Sequence, residues 1–279
     1  MNEASRDPTS KALEAGESSA AGKLKRLKAI VEHIGDQWAA VLHRQTYFHA
    51  MTRNAELAEA LSSTYAAHVH NTITDTFVID LIREIGALVL DRDSNSASVA
   101  VAVKLLRDPL ILEELRKECR IVLPSKWLSG RHVPEDVRRG IDQESQENQV
   151  VENLEAFNLR VAKLPEVDSL LNAKISELLR TARNKSIAHY DVVRSGTDWK
   201  LWRIDEAGEL TYGKLDEYVD ACTAAVDGLL HLVRRVAHDF DGTRHVAQDY
   251  ADDYIGALML GLQRKKVLQE ERIAKLAGD

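Results

Sequence analysis

Along nearly the whole chain apolar residues recur every three or four positions, the period of a helix that buries one face. Leu24, Leu27, Ile30, Val31, Ile34, Trp38, Val41 and Leu42 form the first such stripe and predict a helix over residues 24–48. Asn54 can cap a second helix, over 54–66, because a short polar side chain accepts a hydrogen bond from an orphan N–H of the first turn. A third, over 71–90, carries the widest stripe (Phe77, Ile79, Leu81, Ile82, Ile85, Leu88, Leu90) and is expected in the middle of a bundle. Past a turn at 91–95, Ser96 or Ser98 can cap a helix reaching Leu106. Asp108-Pro109 then opens another through Arg120, proline being welcome in a first turn. Residues 145–163 and 166–188 read as two more helices parted at Pro165, Thr211 can cap one reaching Val236, and a last helix is expected over 245–276.

The periodicity lapses in three places. Residues 1–22 are polar and small, with no stripe, and predict a disordered tail. Residues 125–140 shift to Lys, Arg, Gly, His and Pro and predict a long surface connection or flap. Residues 192–212 lie between helical patterns, contain Gly196 and Gly208 and favour strand at 199–204, so a short hairpin or extended loop is expected there. The fold class that follows is all-α, a helical bundle with that one extended excursion. The expected organisation is a tail over 1–22, a single helical domain over 23–244 with its core at about 145–240, and a C-terminal helix over 245–279 that can serve as a dimer arm.

Composition agrees with this class and narrows the partners. In 279 residues there are five prolines and 5% aromatics, which suits helices rather than sheets. A net charge of −7 excludes a general nucleic-acid coat, since a dense cationic surface is needed to bind phosphate nonspecifically. Any RNA contact must therefore be local. Two cysteines, Cys119 and Cys222, both within apolar helical patterns, read as buried free thiols, and no run approaches the length of a membrane span. A cytoplasmic protein without membrane contact is expected.

A local cationic region does exist. Arg180, Arg183, Lys185, Arg194, Lys200 and Arg203 face only Asp191 and Asp198 within residues 180–203, and Trp199 and Trp202 are interleaved with them. Each cation alone is an ordinary solvated position; together with the indoles they match a small platform for phosphates and bases. An apolar stripe through Leu170, Leu171, Ile175, Leu178, Leu179 and Ala182 carries Arg183 to a helix end, and His189 follows with Tyr190 and Asp191. Arginine beside terminal carbonyls is also favourable to the helix dipole. On a straight helix six residues rotate His189 about 120° from Arg183, so the two converge only if the helix unwinds around 186–188 or if two copies share one groove.

Arg183-Asn184, four residues and His189 resemble the R-(N/H/D)-x4-H signature of the HEPN superfamily, and the string Arg183-Asn-Lys-Ser-Ile-Ala-His189-Tyr-Asp191 is similar to its abortive-infection branch. The serine-rich turn over 88–99 is similar to the corresponding turn of that branch, and the order of helices agrees over 24–239. The resemblance implies a HEPN-type bundle with extra N-terminal helices and an RNA endonuclease that needs neither metal nor cofactor, acting in phage defence or growth arrest as a toxin-like effector. It also implies partners: RNA as substrate, a second copy in a homodimer, and an antitoxin or regulatory partner. In that scheme His189 exchanges the proton of a ribose 2′-OH or leaving oxygen, Arg183 holds the phosphate and Asn184 orients one of them, with Tyr190 and Asp191 behind. Arg180, Lys185, Arg194, Lys200, Arg203, Trp199 and Trp202 would contact RNA. Asp191 replaces a tyrosine that some members carry two residues after the histidine, which sets this chain apart from members modified there.

Two alternatives also fit the sequence. One is a HEPN-like module that binds a nucleotide or a protein without catalysis. The other is a metal-dependent phosphohydrolase built on the dipeptide His238-Asp239, with Asp241 or Asp253 as further ligands. Other histidine pairs do not suit a metal: His68 and His70 point about 200° apart on a helix, and His43 and His49 are also badly phased.

Overall fold

The computed structural model describes residues 19–62, 64–121, 135–184, 192–195, 198–201 and 210–277. Helices α1 (Ala20–Arg53), α2 (Ala55–Leu61) and α3 (Ala66–Ile85) come first, and α3 passes into a π turn at Gly86–Leu90. Next come α4 (Val99–Leu106), α5 (Pro109–Cys119), α6 (Glu135–Ala162), α7 (Leu164–Leu171) and α8 (Lys174–Ala182). A two-stranded hairpin, β1 (Val192–Ser195) and β2 (Asp198–Leu201), precedes α9 (Tyr212–Leu229), a second π turn at Leu230–Arg234, and α10 (Phe240–Ala277). The strands pair antiparallel with Val192 opposite Leu201 and Ser195 opposite Asp198, so the protein is all-α, with a single short extended excursion among the described residues, where the helical stripe lapses.

The chain divides into two compact units. The first takes residues 1–35, 89–176 and 224–237. Its buried residues include Leu27, Val31, Ile34, Val99, Leu106, Ile111, Leu115, Phe157 and Leu230. Ser98, fully buried, caps α4 by accepting from Val101 N while its own hydroxyl donates to Asp91 O. Asp108 caps α5 and pairs with Lys23 of α1 at 2.8 Å. Arg107 reaches Asp168 of α7, and Arg116 lies over the Phe157 ring of α6. The π turn at Leu230–Arg234 ends on Arg235 in the left-handed region (φ 57°), and its guanidinium donates to the carbonyls of Glu118 and Ile121, closing the end of α5.

The second unit takes residues 36–88, 177–223 and 238–279. Trp38 is fully buried and its Nε1–H donates to Thr223 Oγ1 of α9 at 3.0 Å. Leu57 and Leu61 of α2 pack with Ile255 of α10, and Arg44 of α1 pairs with Glu84 of α3 at 2.6 Å.

Element borders depart from the periodic pattern at three points. The helix capped by Asn54 stops at Leu61 instead of Ala66, and α3 starts at Ala66 rather than at residue 71. The stretch expected to be one helix over 166–188 is broken at Asn172 and Ala173, with Asn172 in a non-helical conformation (φ −109°, ψ 5°) and the buried Ser176 hydroxyl satisfying Leu170 O. Residues 135–140, expected as part of a surface connection, belong to α6. In the widest stripe, Ile79 is 40% exposed while Leu81, Ile82 and Ile85 are buried. Among the described residues no helix is long and apolar enough to cross a membrane. Both cysteines are free and buried, and burial pushes the Cys222 thiol up to about 12 and raises that of Cys119.

Candidate functional site

Helix α8 is short and strongly one-sided. Leu179 and Ala182 are fully buried, which anchors its last turn. Burying those two positions leaves Arg183, the next residue, half-buried, and Asn184 exposed. At these two residues the backbone opens into π geometry, a distortion that recurs where helices carry function.

The Arg183 side chain runs against Gly86, at the junction of α3 and its π turn. Its Nη1–H donates to Gly86 O at 3.4 Å. A Cβ at position 86 would stand 2.6 Å from Arg183 Cδ, well inside van der Waals contact. The glycine is therefore what admits the arginine stem. A glycine inside a helical stripe, at a cost of about 1 kcal/mol relative to alanine, is the signal in the sequence that something approaches closely there. Two residues earlier, burial raises the Glu84 carboxyl, outweighing the opposing influence of Arg44 and Arg83.

Of the other candidates, Arg180 is half-buried on α8. Arg194 stands opposite Trp199, and Val193 opposite Lys200, in the hairpin register. Lys185, His189, Tyr190, Asp191, Trp202 and Arg203 lie outside the described residues. The structure thus brings Arg183 together with Gly86.

The His238-Asp239 dipeptide has a local role. Asp239 caps α10, with Oδ1 accepting from Gly242 N at 2.8 Å, and the His238 ring stacks on Phe240. No group of three or more His, Cys, Asp or Glu is placed to hold a metal ion among the described residues.

A second polar constellation has no local signature in the sequence. Gln45, His49 and Arg53 are spaced i, i+4, i+8 on α1, a polar stripe with Gln45 buried, and all three converge on Asp216 of α9. Four-residue spacing on the first helix was legible; the partner 163 residues from Arg53 was not.

A family model, AbiU2 of the HEPN type, matches over residues 24–254, a span that takes in Gly86, Arg183, both strands and the first part of α10. No curated protein and no solved structure matches the chain.

Proposed function

The chain belongs to the AbiU2 family of HEPN proteins, an abortive-infection family, and from that premise we propose that it is an RNA endonuclease acting without a metal, an effector of phage defence or growth arrest. The observation that carries the reading is the seat of Arg183: a half-buried arginine at the end of α8, its stem pinned against Gly86, at the first position of the Arg183-Asn184…His189 string. A guanidinium has five N–H donors in a rigid fork, so an anchoring hydrogen bond and a phosphate are compatible on one side chain. Pre-orientation of this kind is what charge stabilisation in a transition state requires.

In this mechanism the nucleophile is the substrate's own 2′-OH. His189 takes its proton, the 2′-oxygen bonds to phosphorus, and the 5′-oxygen leaves with a proton returned by an imidazole. A 2′,3′-cyclic phosphate and a 5′-OH remain. Arg183 holds the equatorial oxygens where charge builds, and Asn184 orients phosphate or imidazole. Arg180, Lys185, Arg194, Lys200 and Arg203, with Trp199 and Trp202, guide the strand. Two copies related by a two-fold supply Arg183 and His189 to one groove, and a regulatory partner restrains the activity.

The test is cleavage of total RNA by purified protein, with and without EDTA. EDTA should have no effect, a single 2′-deoxy substitution should abolish the cut at that position, and the 5′ fragment should end in a cyclic phosphate. Arg183→Ala and His189→Ala should each slow cleavage by about 10² or more while circular dichroism stays helical. Cleavage that persists undiminished in both variants refutes the assignment. No cleavage at all leaves a HEPN module that binds a nucleotide or protein, and dependence on a divalent ion with loss in His238→Ala restores the phosphohydrolase alternative.

A further inference from the structure

Within the second unit α1, α9 and α10 wall a polar cleft of about 520 Å³. Asp216 is its hub. Oδ1 accepts from Gln45 Nε2 at 3.0 Å and from His49 Nε2 at 2.7 Å, and Oδ2 accepts from Arg53 Nη2 at 2.8 Å. A carboxylate engaged by three donors is poorly suited to ligate a metal or to attack a substrate; what it does well is orient its donors. Because a carboxylate only accepts, His49 carries its proton on Nε2, which leaves Nδ1 as the ring's remaining polar atom.

His245 is held in the opposite sense. Its Nδ1 lies 2.8 Å from the carbonyl of Asp241, another pure acceptor, so Nε2 is the atom left over. Arg244, beside it on α10, pairs with Asp220 and lies 3.9 Å from the exposed Asp241 carboxylate. In formal charge the lining of the cleft is balanced, two arginines against Asp216 and Asp220, with Asp241 outside it. In hydrogen bonding it is not. Each guanidinium has five N–H groups, and Arg53 spends one on Asp216, while its other neighbour, His49 Nε2 at 3.4 Å, is itself a donor. Donors are in surplus and oriented, and the side chain of Arg53 is 66% exposed to whatever enters.

A ligand made of acceptors complements such a cleft, and tetrahedral phosphate meets guanidinium with better geometry than any neutral group. We propose that this cleft binds a phosphate monoester, with Arg53 and Arg244 as its ligands, His49 and His245 beside them, and Asp216 as the residue that positions His49 and Arg53. The site is separate from Arg183 in its residues and stands whether or not the chain cleaves RNA. The monoester has two possible sources, a free mononucleotide or the 5′-phosphorylated end of a strand.

Histidine-detected NMR and calorimetry on the full chain test this, using inorganic phosphate, adenosine 5′-monophosphate, adenosine, and an all-deoxy tetranucleotide with either a 5′-phosphate or a 5′-hydroxyl. Phosphate and the monophosphate should bind and shift the His49 and His245 resonances, and adenosine should not. Arg53→Gln and Arg244→Gln should each weaken binding about tenfold. Asp216→Asn should weaken it too and alter the tautomer signature of His49, which a merely structural role would leave in place; Asp216→Glu should restore part of both. Tighter binding of the mononucleotide than of the 5′-phosphorylated strand assigns the free nucleotide, and the reverse assigns the strand end. Arg53→Gln, at an exposed side chain, keeps the test valid if the aspartate variants fail to fold. Phosphate that binds without moving either imidazole, or equally well in an Arg53→Gln/Arg244→Gln double variant, overturns the proposal, as does no binding.

Discussion

At residue 86 the absence of a side chain decides the course of another one. Arg183 Cδ stands only 2.6 Å from where a Cβ at residue 86 would be, and the arginine is the flexible partner of the two. Gly86→Ala should therefore displace Arg183 while leaving the helix slightly better off, since alanine in a helix is favoured over glycine by about 0.5–1 kcal/mol. The expected outcome is a split: thermal stability unchanged to within about 1 kcal/mol, RNA cleavage down by about tenfold to a hundredfold, and no further loss when Gly86→Ala is added to Arg183→Ala. Equal activity in Gly86→Ala and wild type would show that the arginine's seat is irrelevant to the chemistry. Ordinary capping logic explains other single positions. Ser98, Asp108 and Asn54 each sit where a first-turn N–H needs an acceptor, and each supplies one.

Between elements the forces are mostly tethers added to apolar packing. Asp108 serves two of them, capping α5 and pairing with Lys23 of α1. The Lys23 side-chain hydrogen bond, then the Leu110 backbone N–H, hold its carboxyl below the usual carboxylate value. A depressed carboxyl stabilises the fold above its unfolded pKa, near 4, and that contribution fades as pH falls through the lower folded value. Asp108→Ala should thus show its full loss of denaturation midpoint at neutral pH, and the gap to wild type should close in strong acid. A gap independent of pH would mean that the cap geometry, not the charge, is what matters. Helix breaks obey the same local accounting. The pause between α7 and α8 at Asn172 is closed by the Asn172 N–H and the Ser176 hydroxyl, both satisfying carbonyls of α7, so no proline or glycine is needed to end the helix.

At the scale of the whole molecule, among the described residues the end of the C-terminal helix stands without intramolecular burial. α10 packs through Ala251, Ile255, Leu258, Met259 and Leu262, but every residue from Gln263 to Leu276 is exposed, including Leu268, Ile273 and Leu276. An unsupported helix of that length is marginal in water. Truncation after Leu262 should leave the unfolding midpoint within about 2 °C of the full chain, because no core is lost. If the proposed dimer is held by this arm, full-length protein sediments as a dimer at micromolar concentration and the truncated chain as a monomer with impaired cleavage. A truncated chain that still dimerises and cuts would place the two-fold contact elsewhere, and a monomer that cuts at full rate would refute the shared groove.

Most of the helices, the caps at Asn54, Ser98 and Asp108 and the extended excursion within 192–212 were determined by the sequence alone, because periodicity and capping are short-range and each of these caps stands within four residues of what it satisfies. The Arg183-Asn184…His189 string was legible for the same reason, its members lying within seven residues. What only the tertiary structure decided is which distant residues meet. Gly86 and Arg183 are 97 apart in the chain, and His49 and Asp216 are 167 apart. His49 read in the sequence as a badly phased helix histidine, since helical phase relates residues on one helix and says nothing of a carboxylate brought in by another. Helix packing made that carboxylate its neighbour, and with it a polar cleft that no local pattern announces.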